Sequence, residues 1–172
     1  MRSMTWRVAT LVVLVAALGA PVTAQAQNSA DITAQANVLT PLTVTGQQDL
    51  DFGDVFPGVA STVTVADASA GRWLTTGSSG AEVQLAFTLP ANLVSGGNNL
   101  PISFGASSAG YNAANNAGAA TTFDPAAGAT TNLGVAPAEL YVWVGGTVTP
   151  ALTQPQGLYT GTINLTVNYT GN

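Results

Sequence analysis

The feature of this sequence that most restricts its fold is a two-residue alternation of apolar and polar side chains. It is clearest near the C-terminus, where Tyr159, Ile163, Leu165, Val167 and Tyr169 share one parity and threonine and asparagine residues occupy the other. Because successive side chains of a β-strand point to opposite faces, the pattern predicts a long strand with one buried face over residues 159–169. No helical periodicity is visible after residue 26, so we expect an all-β protein.

A second alternating segment lies near the N-terminus, with Thr40 and Pro41 as its only interruption. Its apolar residues are Ala30, Ile32, Ala34, Ala36, Val38, Leu42 and Val44. A proline inside a strand pattern indicates an edge strand or a bulge. Residues 30–38 are therefore either the first strand of the domain or a strand that can be given to another molecule, and the pattern leaves both possibilities open.

Shorter strand candidates fill the middle of the chain, and turn sequences such as Pro57-Gly58 separate them. These candidates cover residues 50–55, 61–66, 72–76, 82–89, 101–104 and 139–148. Several short strands at such spacing predict an immunoglobulin-like β-sandwich of about seven or eight mostly antiparallel strands with Greek-key connections. Residues 105–137 are rich in Ala, Gly and Asn, and we expect a long loop there, with one short strand near residues 121–123.

The N-terminus has the pattern of an export signal. Residues 1–7 contain two arginines and no acid, residues 8–20 are mostly apolar, and Ala24 and Ala26 place small residues before Gln27. We expect a signal peptide over residues 1–26 that is removed before Gln27, because the apolar run is shorter than the roughly 20 residues of a membrane span. The mature chain, residues 27–172, would be a single domain in the periplasm, on the outer surface or in an extracellular filament of a bacterium, without a membrane span.

Charge and residue content restrict the function classes. After residue 26 the chain has eight acids and one cation, Arg72, which gives a net charge of −7. Such a surface repels phosphate groups, so nucleic acid is not an expected partner. The mature chain also lacks His, Cys and Lys, the residues that most often act as catalytic bases, activated nucleophiles and soft metal ligands. We therefore expect no catalytic residue, no cofactor and no metal site; an enzyme would have to rely on carboxylates alone.

Two groups of residues have an alternative reading. Asp49, Asp51 and Asp54 could supply oxygen ligands to calcium, but they match no known calcium loop, and we interpret them as solvated side chains. If the segment is a strand, Asp49 and Asp51 point to solvent while Leu50 and Phe52 point inward. Trp73 and Trp143 could stack on a sugar ring. Each has apolar neighbours within a strand pattern, so we expect both to be buried.

Several short motifs resemble the bacterial domain-of-unknown-function family 4402. They are Pro-Leu-Thr-Val at 41–44, Asp-Leu-Asp-Phe-Gly-Asp-Val at 49–55, Val-Gly-Gly-Thr-Val at 144–148, Gly-Leu-Tyr-Thr-Gly-Thr at 157–162 and Val-Asn-Tyr at 167–169. That family in turn is similar to spore-coat-U proteins and chaperone-usher pilins. The resemblance implies an incomplete immunoglobulin-like fold, which a strand from a pilus-type chaperone or from a neighbouring subunit completes. The chain departs from those pilins in having no disulfide and in the three residues that follow Tyr169.

The leading hypothesis is a pilin-like surface subunit that self-associates through two strands. Its candidate assembly residues are Ile32, Ala34, Ala36, Val38, Tyr159, Ile163, Leu165, Val167 and Tyr169. The alternative is a monomeric, adhesin-like binding module that uses residues 105–137 to contact an unknown ligand.

Overall fold

A computed structural model describes residues 28–171 of the chain. The chain divides into two compact units, Met1–Ala36 and Asn37–Asn172. The described part of the first unit, residues 28–36, is exposed throughout and contains neither helix nor strand. The predicted signal peptide and its cleavage site at Ala24, Ala26 and Gln27 lie outside the described residues.

The second unit is built almost entirely of β-strands, and residues 117–119 form one turn of 3-10 helix. Its described residues form twelve strands: β1 (Thr43–Gln48), β2 (Ser61–Val63), β3 (Gly71–Thr76), β4 (Glu82–Thr88), β5 (Asn92–Ser95), β6 (Asn98–Ser103), β7 (Ala109–Asn112), β8 (Thr121–Phe123), β9 (Ala129–Asn132), β10 (Glu139–Val144), β11 (Gly146–Val148) and β12 (Asn164–Tyr169). In the part of the chain described, no helix is long and apolar enough to cross a bilayer.

The strands form three antiparallel sheets. The five-stranded sheet has the order β1-β3-β10-β7-β8, the three-stranded sheet β12-β4-β9, and the four-stranded sheet β2-β11-β6-β5. Every strand pair is antiparallel. The predicted all-β class and β-sandwich are confirmed, although the strands are more numerous and shorter than the seven or eight expected.

The main core lies between the five-stranded and the three-stranded sheets. Alternate residues of β4, β10 and β12 fill it: Val83, Leu85, Leu140, Val142, Leu165 and Val167. Trp73 and Phe87 border these residues with their rings edge to face, 5.7 Å between centroids. Burying these side chains supplies the main driving force for folding, at roughly 1.5–3 kcal/mol for each large one.

The four-stranded sheet continues from the five-stranded sheet because the chain passes directly from β10 to β11 through Gly145. A Cβ at Gly145 would overlap the carbonyl oxygen of Val63, so only glycine fits where β2 crosses this point. The predicted single strand over residues 139–148 is therefore two strands that belong to different sheets. Leu100, Ile102 and Val148 form a separate core on the four-stranded sheet.

Residues 105–137 contain the predicted short strand, which is β8, but they also contain β7 and β9, which the loop prediction missed. Their two aromatic side chains, Tyr111 and Phe123, pack on the main core and contact each other at 5.8 Å between ring centroids. Small residues allow close packing here: a Cβ at Gly110 would lie 2.9 Å from the Val65 side chain. The low hydrophobicity of the segment therefore reflects tight packing against the sheet.

Residues 50–55 do not form the predicted strand, but the predicted directions of their side chains are correct. Leu50 and Phe52 pack on two of the cores, while Asp49 and Asp51 are exposed. The backbone forms a loop because Gly53 takes a positive φ of 62° and its N–H bonds to Asp51 Oδ1 at 2.8 Å. A side chain that hydrogen-bonds its own backbone two residues on favours a turn over a strand.

A cleft between two open sheet edges

Two strands end their sheets on the same side of the domain. Among the described residues, β1 pairs only with β3 and is an edge of the five-stranded sheet, and β12 pairs only with β4 and is an edge of the three-stranded sheet. Part of β1 lies close to β12. Each strand therefore presents a row of backbone N–H and C=O groups that no neighbouring strand pairs.

β1 is covered much less than the other edge. Five of its six residues are exposed, and the sixth, Gln48, is only partly buried. β12 instead buries Leu165 and Val167 in the main core. β1 carries Val44 and yet buries neither of its faces. Its inner face therefore has no strand packed against it.

A cleft of about 1210 Å³ opens beside Gly46 and Gln48 of β1 and beside Ile163, the residue before β12. Two chain segments form its walls, residues 46–57 and residues 154–163. Its base is apolar and aromatic, with Trp73 at one part and Leu100, Ile102 and Val148 at another. A groove with an apolar base beside unpaired strand edges has the geometry that accepts an extended peptide.

Tyr169 lies at the end of β12 that is further from the cleft, next to the start of β1, and we call this the Tyr169 end. The Tyr169 hydroxyl accepts a hydrogen bond from the Ser78 N–H at 2.6 Å and donates one to the Thr40 carbonyl at 2.7 Å. These bonds join the last strand to the residues that lead into β1. Leu42, the residue before β1, packs on the main core beside Tyr169.

The opposite end, which we call the Pro150 end, is formed by two loops that hydrogen-bond to each other. Gly58 N–H lies 3.2 Å from the carbonyl oxygens of both Pro150 and Ala151. The Tyr159 hydroxyl donates to the Pro155 carbonyl at 2.8 Å and accepts from Gln154 at 2.7 Å. The backbone bonds between Val94 and Thr160 tie the same region to β5.

The candidate assembly residues fall into three places. Ile32, Ala34, Ala36 and Val38 are exposed and belong to no strand, with Ile32 94% and Val38 92% accessible. Tyr159 and Ile163 line the cleft. Leu165 and Val167 are core residues, and Tyr169 hydrogen-bonds to the Thr40 carbonyl at the far end of β12. The predicted strand over 159–169 is shortened to Asn164–Tyr169, because residues 159–163 cross from the four-stranded to the three-stranded sheet.

The acidic residues near the cleft do not form a metal-binding group. Asp49, Asp51 and Asp54 lie on its rim and are exposed. Within residues 28–171 no three His, Cys, Asp or Glu side chains come together in a way that could hold a metal ion. Asp51 instead accepts the hydrogen bond that shapes the local turn.

The two tryptophans of the domain occupy different environments. Trp143 is 3% accessible and stacks on Tyr141 at 6.0 Å between ring centroids. Trp73 is only partly buried and faces the cleft beside Gly46. The expectation that both are buried therefore holds fully for Trp143 and in part for Trp73.

Two titrating side chains have shifted pKa values, and neither lines the cleft. Hydrogen bonds from the backbone N–H and the hydroxyl of Thr64, at 2.6 and 2.8 Å, lower the pKa of Asp67. Burial raises the pKa of Tyr141, and the hydrogen bond to Glu139 adds to that effect. The Asp67 bonds stabilise the turn between β2 and β3.

Sequence reasoning missed the cleft itself and several residues that line it. Phe52, Phe56 and Leu158 are among them. Phe52 lies in the predicted strand over residues 50–55, whereas Phe56 and Leu158 each lie between a predicted strand and a predicted turn. Large apolar residues between Pro150 and Tyr159, a segment rich in turn residues, are the signal that could have pointed to this surface.

The boundaries of the domain agree with a family comparison. A family model described as "Domain of unknown function (DUF4402)" matches residues 42–169. The chain belongs to the DUF4402 family. The match begins at Leu42, directly before β1, and ends at Tyr169, the last residue of β12. The DUF4402 region therefore contains both cleft edges but not the segment at 28–41. No curated protein matches the chain significantly.

Proposed function

We propose that this DUF4402 protein is an exported structural subunit without enzymatic activity, and that its copies assemble by β-augmentation. Residues 28–38 of one copy add as a strand beside β12, next to the cleft, of another copy. The observation that carries the proposal is the presence, in one chain, of two uncovered sheet edges beside an apolar cleft and of an exposed alternating segment that belongs to no strand.

The segment suits the cleft in length and in side-chain size. The eleven residues 28–38 in extended conformation span about 36 Å, whereas the six residues of β12 span about 20 Å. The alternate side chains that would point into the cleft are three alanines and the larger Ile32 and Val38. Small side chains fit where Trp73 already occupies part of the cleft base.

The incoming strand is expected to pair with β12 rather than with β1. The pairing of β12 with β4 is regular over all six residues, whereas the register of β1 shifts between Gly46 and Gln48. Bulges of this kind disfavour further pairing at an edge. Antiparallel pairing is the more stable arrangement, so the segment runs from the Tyr169 end towards the Pro150 end.

This direction requires a second copy of the chain. In an antiparallel pairing with β12, residue 38 lies towards the Pro150 end, while Leu42 of the same chain is fixed beside Tyr169. Four residue steps span about 13 Å, which is shorter than the roughly 20 Å of β12. A chain cannot fill its own cleft in this direction, so the segment enters another molecule.

Sedimentation velocity of the mature chain, residues 27–172, tests the proposal. We expect concentration-dependent oligomers that disappear when residues 27–38 are deleted. Ala34→Asp places a charge on the face of the segment that points into the cleft. It should weaken association about ten-fold or more, because burying an unpaired charge costs free energy. Gln35→Asp adds the same charge on the face of the segment that points to solvent and is the matched control.

The opposite result would be clear. Oligomers that survive both the deletion and Ala34→Asp, or a mature chain that stays monomeric at all concentrations, would contradict the proposal. A pilus-type chaperone that presents a strand to the same cleft before assembly would copurify with the Ala34→Asp protein, since that variant keeps its cleft but cannot donate.

A further inference from the structure

We infer that an apolar patch at the Pro150 end is the docking surface for the Tyr169 end of the donating copy. The patch, which we call the end patch, consists of Phe56, Val59, Leu152 and Leu158. This inference rests on the proposed function, because the direction of the donated strand determines which ends of two copies meet.

The end patch is unusually exposed for its composition. Leu152 and Leu158 are 85% and 83% accessible, and Phe56 and Val59 are 70% and 58% accessible. The four residues lie together because Gly58 bonds to Pro150 and Ala151 and sits against the Leu152 side chain, while Phe56 and Leu158 line the same cleft. Clustered exposed apolar side chains mark interaction surfaces, whereas isolated ones do not.

The geometry of the donated strand brings the Tyr169 end of one copy to this patch of the next. Residue 38 of the donor lies towards the Pro150 end of the acceptor, and only about 13 Å of chain separates it from Leu42 of its own domain. The Tyr169 end of the donor must therefore lie against the Pro150 end of the acceptor. That end of the donor carries Val135, which is 77% accessible and packs beside Gly80, and the linking residues Val38 and Leu39 are also exposed.

The charge of the chain favours an apolar contact at this junction. Among the residues of the mature chain Arg72 is the single cation, and it lies in β3, where its guanidinium donates to Asn115 Oδ1 at 3.4 Å. Asp54 near the end patch and Glu139 near the Tyr169 end have the same sign. Ion pairs cannot join these two ends, so burial of apolar surface has to provide the attraction.

The test compares two substitutions on the end patch with a matched control. We expect Leu152→Ser combined with Leu158→Ser to weaken self-association of the mature chain about ten-fold or more. Val94→Ser removes an apolar side chain that is 46% accessible, less than either leucine, from β5 outside the patch, and should leave association unchanged. Sedimentation velocity at low and high salt measures both, and wild-type association should persist in high salt.

A peptide of residues 28–41 separates this inference from the proposed function. Its binding is measured on the Ala34→Asp chain with and without the two end-patch substitutions, and we expect the same affinity for both, because the peptide lacks the Tyr169 end of a donor. Peptide binding together with unweakened assembly of the end-patch variant would overturn the inference alone. Loss of peptide binding on substitution of the patch would also overturn it, and failure of the peptide to bind the Ala34→Asp chain would overturn the proposed function.

Discussion

At the scale of single residues, Thr75 is a polar side chain in the interior of the sandwich. The residue is fully buried in β3, and its Oγ1 has no hydrogen-bond partner among the described residues. Its neighbours across the sheet are Val44 of the uncovered strand β1 and Leu140 of the core. A buried hydroxyl without a partner reduces the free energy of unfolding.

We predict that Thr75→Val stabilises the domain. The substitution keeps the shape of the side chain and removes the unpaired hydroxyl, so the free energy of unfolding should rise by about 1 kcal/mol in urea denaturation. Thr75→Ser is the control, since it keeps the hydroxyl and loses a methyl group, and it should lower stability. Equal or lower stability of the valine variant would show that the hydroxyl has a partner in solution.

Residues 49–52 show why the direction of side chains could be predicted more reliably than backbone hydrogen bonding. The alternation over 49–52 correctly placed Leu50 and Phe52 inward and Asp49 and Asp51 outward, yet the segment is a loop. Alternation reports only which side chains are buried. The segment is a loop because Gly53 and Asp51 form a turn and because no neighbouring strand pairs with it.

At the scale of elements, the sequence predicted the strands with large apolar residues and missed those built from small ones. β4, β10 and β12 lie within predicted segments and contain most of the main core. β7 and β9 consist mainly of Ala, Gly, Thr and Asn, and of these only Thr favours strands by propensity. Their pairing with β10 and β4 comes from tertiary packing, which a local pattern does not contain. Deletion of residues 105–137 would therefore remove sheet strands together with any ligand surface.

Trp73 offers a direct optical measurement of strand insertion. The mature chain contains two tryptophans; Trp143 is buried, and Trp73 faces the cleft. We predict that the peptide of residues 28–41 shifts the fluorescence emission of the Ala34→Asp chain to shorter wavelength, because the added strand removes water from the Trp73 ring.

Trp73→Phe is the control for this measurement, since it keeps an aromatic side chain and leaves Trp143 as the single tryptophan. The shift should be absent in that variant while peptide binding, measured by calorimetry, remains. Peptide binding without any change in Trp73 emission would place the binding site elsewhere on the domain.

At the scale of the whole molecule, the cleft depends on which strands become sheet edges, and this could not be read from the sequence. β1 pairs with β3 and β12 with β4, each across an intervening stretch of chain that contains other strands. Whether a strand is an edge depends on all of these pairings together. The sequence did indicate that residues 30–38 are either the first strand of the domain or a strand donated to another molecule. The open sheet edges favour donation to another copy.

The overall charge also belongs to this scale. A net charge of −7 on the mature chain means that copies repel one another at long range. Salt screens that repulsion, so an assembly held by backbone pairing and apolar contact is expected to tolerate salt.

The most direct test of the central claim is a cross-link between the donated segment and the cleft of a second molecule. Because the chain contains no cysteine, Ala34→Cys and Ile163→Cys each introduce a unique thiol, in the segment and in the cleft. A short bifunctional maleimide added to a mixture of the two mature variants should produce a dimer that contains one copy of each. Thr62→Cys on β2 replaces Ile163→Cys in the control and should give no such dimer. If the doubly substituted chain instead cross-links within a monomer, and the mixture gives no dimer, the account of assembly between copies is wrong.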